Sequence, residues 1–219
     1  MYEVPAIEAD SDQVRKLFDT NVLGLFDVVS AFAPLLLSAV PDADTPPMIV
    51  NTASVLARIP HPFSAAYNAS KAAVASYSDT LRLEVAPLGI KVVTVFMGEV
   101  STGMMTPSKV TFGLGSLYAD VEEKVKARSK NHVDSSMKPE EFAKQVVKEL
   151  LDRSGGLGRG ELIWKGTNAF AVWFFDSIGW RKIIDRNLKS AVGLADREIR
   201  QLIFNRGQDK VKALAATTI

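Results

Sequence analysis

Apolar and polar positions along this chain follow two alternating periods. Across "DSDQVRKLFDTNVLGLFDVVSAFAPLLLSA", residues Val14, Leu17, Phe18, Val22, Leu25, Val28 and Val29 recur three and four apart. That spacing predicts a long helix with one face toward a core, and Asp10 or Ser11 is available as its N-cap. "PDADTPP" breaks the chain, and "MIVNTAS" reads as a short strand, apolar on successive residues as parallel strands covered on both faces are. A second helix is predicted from about Ser64 to Pro87, and "LGIKVVTVFMG" supplies the next turn and strand, with Gly89 as helix C-cap. A helix near "KPEEFAKQVVKELLDRS" and a strand at "ELIWKG" complete a third unit. Long amphipathic segments alternating with short β-branched runs predict a layered α/β fold around a parallel sheet.

Length changes this picture little: 219 residues at 47% apolar content are enough for one core, so a single domain over 1–219 is expected. Residues 168–219 form its helical C-terminal extension. The apolar run Ala169 to Phe175 falls far short of the roughly 20 residues that span a bilayer. The acidic opening "MYEVPAIEADSDQ" carries no signal or transit pattern, and the chain has no cysteine, so a reducing, cytoplasmic setting is expected. Charge is more informative than its net value of +1, because from Arg181 onward nine Lys or Arg face four Asp or Glu. The remainder, with 17 basic and 21 acidic residues, is net acidic. A basic tail suits either a solvated helical face or an anionic surface. The basic positions form no compact run and no recognition motif accompanies them, which argues against nucleic acid.

Ligands of open parallel sheets bind beyond the carboxyl ends of the strands, which directs attention to Ser54 and to Gly98 through Thr102. Tyr67 and Lys71, four apart in "YNASK", share a helical face. A cation beside a phenol lowers its pKa from about 10 toward the range of a general acid or base, and Ser54 can hydrogen-bond a carbonyl that Tyr67 protonates. His61 and His132, two distant histidines with no clustered carboxylates, make no metal site, and His61 reads as a loop residue near the pocket.

Together, "NTAS", the thirteen-residue interval, "YNASKAAVASYSDTLRLEVAPLGIKV" and "MGEVST" closely resemble the classical short-chain dehydrogenases/reductases. The resemblance covers roughly Tyr2 to Trp180. It implies part of a doubly wound, Rossmann-like parallel sheet from which the first strands are absent. By the same resemblance Ser54, Tyr67 and Lys71 match the catalytic triad, and Asn21 matches a helix asparagine that helps hold a proton-relay water. Lys71 also matches a contact to the nicotinamide ribose, with Tyr67 beside it. Gly98, Val100 and Thr102 match the loop that meets the nicotinamide carboxamide. The family's usual Pro-Gly is Met97-Gly98 here, which leaves the loop's direction less constrained. "YNASKAA", "YSDTLRLEVAPLGIKV" and "SLYA" look most like the fungal acyl-dihydroxyacetone-phosphate reductase branch. That branch implies NADP(H), a hydrophobic or acyl-bearing small-molecule ketone, and a place on a membrane or lipid-droplet surface. The helices around Asn21 and Tyr67 resemble those that pair family members, so a homo-oligomer is expected.

The family's glycine-rich phosphate loop has no counterpart, since only 53 residues precede Ser54 and the long helix uses them. The glycines of "SGGLGRG" come late and read as a turn. Three readings stay open: an NADPH-dependent reductase known here in part, a cofactor-free acid/base enzyme such as an isomerase, dehydratase or cyclase, or a non-catalytic remnant. "MIVNTA" would be an exposed sheet edge, to be covered by the N-terminal segment, the tail or another subunit. Phe170, Trp173, Phe174 and Ile178 share a helical face followed by Arg181 and Lys182. That face is expected either to pack on the core as a substrate lid or to lie on a membrane surface. A further helix near Asp196 to Ala216, with Ile199, Leu202 and Ile203, is a candidate oligomer contact.

Overall fold

A computed structural model describes residues 2–102, 108, 110–113, 115–152, 161–179 and 185–217. The glycines of 155–160, and Arg181 and Lys182, lie outside this set. Among the described residues three strands, β1 (Met48–Ser54), β2 (Lys91–Met97) and β3 (Leu162–Lys165), form one parallel sheet in the order β1-β2-β3. The register runs from Met48↔Lys91 to Ser54↔Met97 on one side of β2 and from Thr94↔Leu162 to Met97↔Lys165 on the other.

The helices are α1 (Ser11–Phe18), α2 (Gly24–Ala39), α3 (Ala65–Val85), α4 (Glu122–Ser135), α5 (Pro139–Asp152), α6 (Ala169–Ser177), α7 (Asp185–Ala191) and α8 (Arg197–Thr217). Asp10 caps α1, its carboxylate accepting from Gln13 N at 2.9 Å. A π-helical turn over Asp19–Leu23 joins α1 to α2 without a break. Gly89 ends the α3 segment at φ 78°, a left-handed position that glycine takes without steric cost.

Alternate side chains of β2 face opposite layers. Val92 packs with Val29 and Leu81, and Phe96 with Ala53, Val74 and Ala75, which seats α2 and α3 on one face. Val93 and Val95 pack with Val146 and Ile163 under α5. Phe96 stacks on Trp164 at 4.2 Å between ring centroids. β2 is buried on both faces as its unbroken apolar run predicts, but β1 is not: Val50 is 41% exposed and Asn51 is buried. Asn51 Nδ2 donates to Ser78 Oγ at 2.9 Å, and Ser78 Oγ donates to Val74 O at 2.7 Å, so a polar pair ties β1 to α3. No described strand covers the outer edge of β1. The N-terminal segment goes elsewhere, with Val4 N donating to Phe63 O at 2.7 Å beside the cluster of Phe63, Val110, Val121, Val125 and Val192.

The continuous helix Ser11–Asp42 is by length and composition apolar enough to cross a membrane, a test that the core helix of a soluble protein also passes. Leu25 and Val29 explain one apolar side of it, and Phe26, Phe32 and Leu35 are exposed on others. On α6, Ala169 and Val172 are the buried residues, while Phe170, Trp173, Phe174 and Ile178 form its outward side. The helix does lie over the core, but through the face opposite to the aromatic one.

Replacing Ser78 by Ala removes the partner of the buried Asn51 amide. The variant is expected to lose about 1–3 kcal/mol of stability in urea unfolding; a loss below a few tenths would show that the pair ties nothing.

Candidate functional site

The paired ends of β1 and β2 bring Ser54 beside Met97, and the loop after each strand bounds one cavity of about 430 Å³. Ser54, Tyr67, Gly98, Val100 and Thr102 all line it. Ser54 and Tyr67 are each only 5% exposed. Ser54 Oγ accepts from Leu56 N at 3.1 Å, which turns the chain at the end of β1. Most of the remaining wall is apolar, with Val55, Leu56, Ile59, Val172 and Phe175 contributing.

Lys71 is not at the phenol oxygen. Its Nζ donates to Thr52 O at 2.9 Å and lies 5.9 Å from the Tyr67 ring centroid, over the ring rather than at the hydroxyl. Burial therefore dominates and pushes the Tyr67 phenol above its ordinary value, with a Ser54 hydrogen bond pulling partly back. The expectation that Lys71 lowers this phenol is overturned: Tyr67 is held protonated through neutral pH. Burial lowers the Lys71 pKa as well.

Asn21 sits in the π-helical turn and reaches α3 at Ser70, one turn along from Tyr67. Its Nδ2 donates to Ser70 Oγ at 3.0 Å, and Ser70 Oγ donates to Tyr67 O at 2.8 Å. It braces the backbone behind Tyr67 and is not on the cavity wall.

The sequence reading missed α4, which carries Arg128 and His132 to the cavity. The signal was present: Glu122 and Glu123 open the segment, and Val121, Val125, Ser129 and His132 recur at helical spacing. Arg128 pairs with the buried carboxylate of Glu3, whose second oxygen accepts from Ser129 Oγ at 2.9 Å. Arg128 also approaches the His61 ring at 3.0 Å. Its Nη1 lies 3.0 Å from both ring nitrogens, and since a guanidinium only donates, the contact favours the neutral ring. Burial and then Arg128 lower the His61 pKa to about 3. His61 is thus a half-buried loop residue on the cavity wall, as expected, set by a loop in which Phe63 adopts a left-handed φ of 67°.

Glu99 is the other residue missed. Gly98 and Gly166 cross so closely that a Cβ on Gly98 would collide with the Thr167 carbonyl oxygen. That crossing, and not only an approach to a ligand, requires glycine at 98. It lets Glu99 bond Thr167 in both directions, N to O at 3.0 Å and O to N at 3.1 Å. Asn168 Nδ2 donates to Glu99 Oε1 at 3.0 Å, and the His132 hydrogen bond holds the Glu99 carboxyl below its ordinary pKa.

The described residues fit one end of a nicotinamide cofactor. The backbone after β2 lines the cavity, whereas Lys71, on α3 with its Nζ on the Thr52 carbonyl, is not among the lining residues. The outer edge of β1 has no described glycine loop or helix N-terminus to seat phosphates.

Known proteins resemble this chain in sequence and in fold. A model of the short chain dehydrogenase family matches residues 2–111. The chain is 34% identical over 189 residues to the short-chain dehydrogenase virD of Hypocrea virens, covering 84% of this chain and 61% of that protein. It is 33% identical over 175 residues to the NADPH-dependent 1-acyldihydroxyacetone phosphate reductase of Schizosaccharomyces pombe, covering 77% and 55%. Among solved structures, a short-chain dehydrogenase from Streptomyces avermitilis superimposes with a TM-score of 0.63 at 23% identity, covering 88% of this chain and 66% of that one. One from Burkholderia cenocepacia, in complex with NADP, gives 0.59 at 23% identity, covering 84% and 63%. These two share the fold. The chain spans less than two thirds of the length of the curated relatives it matches.

The state of His61 has a measurable consequence. The unfolded chain takes up this proton below pH 6.5 and the folded one only near 3, so the stability His61 contributes is complete above 6.5 and is lost as pH falls through that window. The expected slope is up to about 1.4 kcal/mol per pH unit. His61→Gln should flatten it in urea unfolding between pH 6.5 and 5. An identical slope in the variant would mean that His61 is not buried as a neutral ring.

Proposed function

The chain belongs to the short-chain dehydrogenase family, and on that premise we propose that it reduces a hydrophobic or acyl-bearing ketone with NADPH, Tyr67 giving the proton. The observation that carries this reading is a buried, protonated Tyr67 beside Ser54 on the wall of an apolar cavity. In the reduction a carbonyl carbon takes a hydride and its oxygen takes the Tyr67 hydroxyl proton, while Ser54 Oγ donates a hydrogen bond to the same oxygen. A bound reduced nicotinamide supplies the hydride. Lys71 and the backbone from Gly98 to Thr102 would hold its nicotinamide end. The apolar wall from Val55 to Phe175 suits an aliphatic or acyl chain better than a sugar. The Schizosaccharomyces pombe relative is named for NADPH and for an acyl-bearing ketone that is also a phosphate ester; its cofactor and acyl chain, though not its phosphate, are in keeping with the choices made here.

A second reading, proton transfer without hydride on the same Ser54, Tyr67 and Lys71, is favoured by one observation: no described phosphate seat adjoins β1. The two readings part on a single assay. With NADPH and a medium-chain ketone, Tyr67→Phe should lower turnover on the order of a hundred- to ten-thousand-fold with the fold intact. Wild-type activity should persist to about pH 10 and fall above it, since the raised phenol pKa keeps the acid form to higher pH. Conversion that needs no nicotinamide would replace the first reading by the second. Undiminished turnover in Tyr67→Phe would remove both.

A further inference from the structure

Among the described residues lining the cavity, two carry a formal charge apart from the histidines, Arg128 and Glu99. Arg128 is engaged through both terminal nitrogens, and only its buried Nε lacks a hydrogen-bond partner. Its guanidinium pairs with Glu3 and donates toward His61, and Glu3 is itself 7% exposed, so this positive charge is neutralised from behind the wall. Glu99 is fixed yet still partly open. Its backbone is clamped to Thr167 through the Gly98–Gly166 crossing. Asn168, in a left-handed conformation at φ 64°, aims its amide at Oε1 from 3.0 Å, and His132 Nδ1 lies 3.5 Å from Oε2. A carboxylate has about four lone-pair positions, so these two donors leave acceptor capacity. The side chain keeps 36% of its surface exposed. An oriented acceptor on a mostly apolar wall selects for a ligand that brings a donor to it, and a ligand that brings only acceptor oxygens to the carboxylate loses hydration there without a partner.

We infer that Glu99 determines substrate specificity at this site, admitting an uncharged hydrophobic ketone that carries a hydroxyl group and turning away the phosphate ester of the same ketone. The inference rests on the ketone-reduction reading of the cavity and adds the headgroup chemistry to it. The hydroxyl donates to a free lone pair of the Glu99 carboxylate while the ketone oxygen faces Ser54 and Tyr67. A phosphate in that place sets its oxygens against the carboxylate, and Arg128, already paired with Glu3, offers it less compensating charge than an unpaired guanidinium would.

Binding to the full chain, read by isothermal titration calorimetry, tests this without turnover. Three probes are used: decyl methyl ketone, decyl hydroxymethyl ketone and the phosphate ester of the latter. The hydroxy ketone should bind more tightly than the plain ketone and on the order of tenfold or more tightly than the phosphate ester. Glu99→Gln keeps an oxygen for Asn168 and removes the charge. It should narrow the gap between hydroxy ketone and phosphate ester by about tenfold while leaving the plain ketone unchanged. Equal binding of the hydroxy ketone and its phosphate ester by the unaltered chain, or an unchanged ratio in a folded Glu99→Gln, overturns the inference and leaves the ketone reading standing. Failure of all three probes to bind removes the ketone reading and the inference with it.

Discussion

The register between β1 and β2 is the constraint from which the site follows. Pairing Ser54 with Met97 brings the last residue of one strand level with the last residue of the other. The loops that leave them, one to α3 and one to Glu99, then diverge from a common rim and enclose the cavity between them. A shift of one residue would turn Ser54 to the opposite face of the sheet, since side chains alternate along a strand. The register is held from below by the layer contacts of Val92 and Phe96 on one side and Val93 and Val95 on the other. It is held across the α3 layer by the Asn51–Ser78 pair. Because β2 is central and buried on both faces, the site-forming strands keep their pairing although the far edge of β1 has no described neighbour.

Around that rim, polar groups are divided by burial. Tyr67, without a cation at its hydroxyl, becomes a better-protected acid. His61, deep beside Arg128, loses its capacity to carry a proton near neutrality. Glu99 keeps its charge because two donors converge on it. Three titratable groups on one wall thus take three different roles from three local environments. The N-terminal segment contributes to this division through Glu3, which neutralises Arg128 from across the chain.

Much of this was legible in the sequence, and what was not has identifiable reasons. β1, β2, β3 and the helices from Asp10, Ser64 and Pro139 follow from uninterrupted periodicity and clear breakers such as "PDADTPP". Ser54, Tyr67, Gly98, Val100 and Thr102 meet on one cavity as strand-end logic requires, whereas Lys71 and Asn21 are not among its lining residues and Asn21 braces α3 through Ser70. α4 was hidden because its exposed face is crowded with charge and its buried stripe is small, Val121, Val125 and Ser129. The direction of the Tyr67 shift was misjudged because spacing shows that Lys71 shares a face with it, but not that the ammonium turns to the Thr52 carbonyl. Glu99 escaped notice because its importance lies in Asn168 and His132, which are distant in sequence and come to it only through the Gly98–Gly166 crossing.

Tyr67 is buried, and burial, with no lowering by Lys71, pushes its phenol above the ordinary value. The direct test is a spectroscopic titration of the tyrosinate signal, taking the difference between the unaltered chain and Tyr67→Phe so that the other tyrosines cancel. The account predicts that the difference titrates above the ordinary tyrosine value of 10. A difference that titrates below 10 would contradict it, placing the Lys71 ammonium at the phenol oxygen and making Tyr67 a base near neutrality.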